Sequence, residues 1–263
     1  DANLKPFMVS STVKLPSGIE TRNFCLANEG DDFIDQWIEF LFVNAEKVRE
    51  ANINQYIDLT EDFMTKSWTE SWKPDFFSVL KKEYNTAPVI GFNSGKFDLN
   101  LILSSLCSTK WRIRSIIGSS TQYKMVSVFK LNDEGNVSEK ETGLRFIDIR
   151  NYIAGGTLDQ FTRDFGKSDV RKPSAQGFST QTKAFFPYQF VTVHNWKEEL
   201  YKTEPFTKES FYSALTKSSI SDEDYETYLK DAARFNNRLD YFIHYCNQDV
   251  EIMIDPIDAI INE

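Results

Sequence analysis

The sequence predicts an α/β fold, a mixed central sheet flanked by helices, on three observations. A short, wholly apolar run at residues 88–92 and a second strand-like run at 144–149, Leu-Arg-Phe-Ile-Asp-Ile, have the look of strands inside a sheet. Each is followed by polar and glycine-bearing residues and then by a helical pattern, the alternation that builds α/β layers. The chain has 263 residues, 41% of them hydrophobic, which is enough to bury one sizeable core. One domain spanning residues 1–263 is therefore expected.

The elements follow in order. Residues 7–13 and 19–26 are β-prone and separated by Leu-Pro-Ser-Gly, a turn signal that predicts a hairpin. Phe33, Trp37, Phe40, Leu41 and Val48 recur at helical spacing and predict a helix over 32–49. The polar stretch 52–85 reads as loop, then a short helix at 76–84. Residues 88–92 read as a strand buried on both faces, leading through Asn93-Ser-Gly-Lys-Phe97-Asp98 into a helix over 99–106. A β-rich section runs over 111–131 and ends in the turn Asn132-Asp-Glu-Gly135. Residues 144–149 predict a central strand, followed by Gly155-Gly156 and a helix over 158–165. The Ser, Lys, Gly and Pro content of 166–182 predicts a surface loop. Helices are expected over 208–215, over 222–235 behind a Ser221 cap, and over 238–254.

Composition narrows the chemistry. A net charge of −9 supplies no sequence-wide basic field for gripping duplex DNA, yet suits carboxylates that bind divalent metal locally. Three scattered cysteines suggest neither a zinc site nor a disulfide framework and fit a reducing compartment. With only His194 and His244, a multi-histidine metal site is excluded and a serine-histidine triad disfavoured. No apolar run approaches the roughly 20 residues of a membrane span, so no membrane partner is expected.

Two segments place polar side chains where chemistry can occur. A strand that ends in a glycine-bearing turn puts Asn93 and Asp98 at the carboxyl end of the sheet, where open α/β sheets bind ligands; either residue may equally cap the helix that follows. Tyr245 and Asp249 lie four apart on one helix face and can address one point, although a core tyrosine beside a solvated carboxylate reads the same way.

Asn93-x-x-x-Phe97-Asp98, then Thr157-Leu158-x-x-Phe161 after the strand Phe146-Ile-Asp148, then Lys183-x-x-Phe186-Pro-Tyr188, then Tyr245-x-x-x-Asp249 resemble, in this order, the 3′→5′ exonuclease domain of protein-primed family B DNA polymerases, enzymes of linear plasmids, some viruses and mobile elements. The likeness covers most of the chain. It implies a ribonuclease H-like 3′→5′ exonuclease fold and two-metal hydrolysis of a primer 3′ end with two Mg²⁺ or Mn²⁺ ions. It implies that Asp98 and Asp249 serve the metals, that Tyr245 orients the attacking water, and that Lys183 supports the catalytic carboxylates. Asn93, Phe97, Thr157 and Leu158 would contact single-stranded DNA, the latter two also the terminal protein primer. Location would be intracellular, mitochondrial where a mitochondrial linear plasmid is the source. Without the resemblance, Thr157 reads as a helix cap, Phe97, Phe186 and Tyr188 as packing residues, and Lys183 as a solvated side chain.

The family pattern opens with Asp-x-Glu on a strand just before the one that residues 6–13 resemble, and Asp1-Ala-Asn3 lacks that glutamate. Two of four expected metal-binding carboxylates are thus missing, and the polymerase motifs, the palm Asp-Thr-Asp among them, do not occur. The chain therefore reads as a fragment, truncated at both ends relative to a full DNA-directed DNA polymerase and weakly active at best by itself. The competing readings are a non-catalytic ribonuclease H-like domain that binds single-stranded nucleic acid or a partner protein, and a metal-dependent nuclease outside the polymerases.

Overall fold

The structure, a computed structural model, describes residues 4–65, 85–137, 142–166, 184–214 and 216–262. The chain divides into two compact units, one comprising Asp1–Val9, Val13–Glu20 and Phe24–Gly155, the other Ser10–Thr12, Thr21–Asn23 and Gly156–Glu263. Strands β1 (Met8–Leu15) and β2 (Gly18–Cys25) pair as the predicted hairpin.

The first unit is built on a mixed four-stranded sheet of β3 (Thr86–Gly91), β4 (Trp111–Ser119), β5 (Gln122–Lys130) and β6 (Gly143–Asp148) in the order β3-β6-β5-β4. β4, β5 and β6 form an antiparallel meander, and β3 runs parallel to β6 with Gly91 opposite Asp148. That register sets the carboxyl ends of β3 and β6 side by side. β6 is central, flanked by β3 and β5 as expected. β3 is not: it lies at the sheet edge with Pro88 exposed, where a residue that cannot donate to a ladder is tolerated.

Helix α1 (Phe33–Thr65) supplies the other half of this core. Phe33, Ile34, Trp37, Ile38, Leu41 and Ala45 are buried, and the Trp37 and Phe146 rings lie 6.1 Å apart, so α1 packs on β6. The helix runs well past the expected end near Arg49. No glycine or proline occurs between Gly30 and Pro74, so nothing in the polar continuation stops it. The expected helix over 76–84 lies outside the described residues, as do residues 167–182 of the expected loop. After β3 the helix is shorter than expected. α2 (Asp98–Ile102) gives way to turns in which the Ser105 carbonyl accepts the Trp111 indole N–H at 2.8 Å instead of continuing a ladder.

The second unit contains α3 (Leu158–Phe165), α4 (Asp222–Ala232), α5 (Arg238–Glu251) and α6 (Ile254–Asn262). Ser221 caps α4 as the sequence predicts, accepting from the Asp224 N–H at 3.1 Å. The helix expected over 208–215 is only the 3-10 turn Lys208–Phe211, because the Ser213 N–H turns to the Ser218 carbonyl. The helix expected to reach residue 254 stops at Glu251. Pro256 has no N–H for the Ile252 carbonyl, and it sits instead in the first turn of α6, where its ring is accommodated. Arg238, buried at the start of α5, lies 4.2 Å from the Phe206 ring centroid, donates to the Glu204 and Pro205 carbonyls and pairs with Glu199; a guanidinium this enclosed is tolerable only when so satisfied. Among the described residues no helix is long and apolar enough to cross a membrane.

Ile38 has no exposed surface, whereas Val43 on the same helix is 55% exposed. Ile38→Ala is expected to cost about 2–5 kcal/mol of stability and Val43→Ala within about 0.5 kcal/mol of nothing, as read from urea unfolding. Equal losses would show that α1 does not pack as described.

Candidate functional site

In the first unit the site grows from the paired ends of β3 and β6. β6 delivers Asp148, almost completely buried, and a buried carboxylate must find donors. It finds three, all backbone: the Asn93 N–H at 2.9 Å and the Arg150 N–H at 3.0 Å on Oδ1, and the Gly95 N–H at 3.1 Å on Oδ2. The loop after β3 is thereby pinned to the end of β6. Asn93 adopts a left-handed conformation (φ 58°), which asparagine tolerates better than most residues. Gly95 is required for a different reason: a Cβ there would sit 2.0 Å from the Tyr123 carbonyl oxygen, and its own carbonyl accepts the Tyr123 N–H at 2.8 Å. The Asn93 side chain is engaged as well, its Oδ1 accepting from Arg150 Nη1 at 3.0 Å.

The pinned loop presents Phe97 and Asp98. Phe97 is 59% exposed, and Asp98, the first residue of α2, is exposed too. No side chain caps α2, so neither Asn93 nor Asp98 plays the capping role that the sequence left open. Loss of solvation pushes the Asp98 carboxyl above the ordinary aspartate range, and the like charge of Asp148 adds to this against an opposing hydrogen bond from the backbone N–H of Asp98 itself. A carboxylate that is accessible yet poorly compensated is a fit partner for a hard cation. Asp148 is not, since both of its oxygens are already occupied.

In the second unit, Tyr245 and Asp249 lie one turn apart on α5. Tyr245 is buried, its ring packed among Phe186 and Tyr188, and its hydroxyl accepts a hydrogen bond from that of Tyr188. Burial, and then the neighbouring Tyr188 and Asp249, raise its phenol far above the usual tyrosine range, so it stays protonated as a donor. Phe186 stacks on Phe242 with centroids 3.9 Å apart, and the Tyr241 hydroxyl donates to the Phe185 carbonyl at 2.8 Å, which fixes the segment that carries Tyr188. The packing reading of Phe186 is the observed one. Tyr188 is exposed, although its ring meets those of Phe186 and Tyr245.

The remaining candidates separate. Thr157 caps α3, its hydroxyl accepting from the Gln160 N–H at 3.2 Å, and Leu158 is half-buried at the first position of that helix. Lys183 lies outside the described residues. Asp148 and Arg150 are the participants that the sequence reading missed, although Asp148 ends the quoted central strand. Among the described residues no three His, Cys, Asp or Glu side chains gather to hold a metal ion. No protein-family model matches the chain, and no curated protein or solved structure matches it either.

Two outcomes check this geometry. Asp148→Asn turns one acceptor oxygen into a donor facing N–H groups and is expected to cost about 1.5–3 kcal/mol in urea unfolding; an unchanged midpoint would contradict the pinned loop. Asp98→Asn should instead raise the thermal midpoint at pH 7. A carboxyl whose folded pKa lies above its unfolded value destabilises the fold once ionised, so the gain from Asn should shrink as pH falls through the carboxylate range. A gain that grows on acidification would reverse the sign assigned to Asp98.

Proposed function

We propose that this chain is the 3′→5′ proofreading exonuclease region of a protein-primed family B DNA polymerase, with a ribonuclease H-like fold. The observation that carries the reading is the placement of its second motif. Asn93, Phe97 and Asp98 sit at the carboxyl ends of two adjacent parallel strands, with an exposed aromatic ring next to an exposed carboxylate. That pairing suits a frayed single strand, because a ring can stack a base while the carboxylate works at the neighbouring linkage. Tyr245 and Asp249, one helical turn apart, supply a protonated phenol and a second carboxylate, the groups needed to hold a water in position.

The activity draws on divalent magnesium or manganese, which supplies charge stabilisation and lowers the pKa of a bound water. Asp98 of the first unit and Asp249 of the second are each offered as a carboxylate for a divalent ion, and among the described residues no three His, Cys, Asp or Glu side chains gather to hold one. The partners are the primer 3′ end, the terminal protein primer and the polymerase domain of the same polypeptide.

The test uses the product of the complete gene with 5′-labelled single-stranded DNA and Mn²⁺. Asp98→Ala and Asp249→Ala are each expected to slow release of 3′ nucleotides by about a hundredfold or more, several kcal/mol of transition-state stabilisation, with strand affinity in EDTA little changed. Binding without any metal-dependent cleavage in the wild type would instead establish a non-catalytic module for single-stranded nucleic acid.

A further inference from the structure

Arg150 is the one side chain at the end of β6 whose arrangement neither the motifs nor the pinned loop explains. Its backbone N–H belongs to the Asp148 pin, but its guanidinium projects elsewhere: Nη1 donates to Asn93 Oδ1 at 3.0 Å, and the group lies 5.9 Å from the centroid of the Phe92 ring. Both contacts are to neutral groups. Arg150 is half-buried, and no carboxylate among the described residues pairs with it. Arg238, by contrast, is also partly enclosed and has Glu199 as its counter-ion.

A half-buried guanidinium held in place by an amide oxygen and an aromatic ring, with further N–H donors to spare, is preorganised for an anion that the described residues do not provide. The planar fork matches a phosphate, to which arginine binds in bidentate fashion. The overall charge of −9 makes a local contact of this kind more telling, since no general basic field could hold a polyanion here. From these observations we propose that Arg150 grips a backbone phosphate of the single strand bound at the Phe97–Asp98 loop, with Asn93 as the positioning residue that aims it. The assignment rests on the exonuclease reading for the identity of the ligand and names the contact that fixes the strand beside Asp98.

Phosphate contacts leave a signature that a structural role does not. In EDTA, so that nothing is cleaved, binding of a fluorescent oligothymidylate is measured by anisotropy across a range of salt for the wild-type chain and for Arg150→Gln, whose amide can still donate to Asn93. Loss of one phosphate contact is expected to weaken binding about tenfold and make the plot of log affinity against log salt shallower by about 0.7. A neutral methylphosphonate walked along the oligonucleotide should weaken wild-type binding at one particular linkage and leave R150Q insensitive there. As a measurement that needs no variant, bound oligonucleotide should protect Arg150 of the wild-type chain from phenylglyoxal, read by peptide mass spectrometry. Equal slopes, or an Arg150 that stays reactive while the strand is bound, would overturn the arginine assignment and leave the exonuclease reading standing. A wild-type chain that does not bind the strand at all would remove both.

Discussion

Three backbone N–H groups converging on the carboxylate of Asp148 set the geometry on which everything else at this end of the sheet depends. Burying a carboxylate costs several kcal/mol unless its lone pairs are satisfied, and backbone donors satisfy them without losing side-chain entropy. Those donors come from two segments, so the demand of one buried charge becomes a constraint on both. The loop after β3 must turn back towards β6, Asn93 must accept a left-handed backbone, and residue 95 must lack a Cβ. The parallel register of β3 and β6 is what allows this, since an antiparallel pairing would put the end of β3 at the far end of β6.

Two aspartates in one small region thereby receive opposite assignments. Asp148 is enclosed and its charge is spread over three hydrogen bonds. Asp98 is exposed, and the protein around it opposes its ionisation. Asp98 therefore keeps oxygens open to a ligand where Asp148 has none. The Arg150 guanidinium, two residues beyond the buried carboxylate, is bound to the Asn93 amide oxygen and has no carboxylate partner among the described residues.

What the sequence made legible was what local rules control. The hairpin, the strand pair over 111–131, the central strand ending at Asp148, and the Thr157 and Ser221 caps all follow from residues within a few positions of one another. The extension of α1 was legible in part, since Ile53, Tyr56, Ile57, Phe63 and Met64 continue the helical spacing, but the polar residues among them outweighed that signal in the reading. Pro88 and Pro256 carried readable information on an edge strand and a helix break, and apolar content outweighed them in the reading. At the site, Asp98, Tyr245 and Asp249 came from motif spacing. The Asp148 pin and the Arg150–Asn93 contact join residues 53 to 57 positions apart, and nothing in a single sequence announces which aspartate will meet which N–H across that distance.

The aromatic residues show why core and site are not exclusive alternatives. Tyr245 is almost completely buried, and by packing alone it is a core tyrosine. Its hydroxyl nevertheless needs a partner, as any buried phenol does, and it meets the hydroxyl of Tyr188, on a segment fixed by the Phe186–Phe242 stack, with Asp249 one turn further along α5. Packing immobilises the ring and so fixes where its hydroxyl points. Phe97 is the complementary case. It has an aromatic surface as large as many in the core, but the fold leaves it bare beside Asp98, where a single exposed ring adds little to stability and stays open to contact from outside.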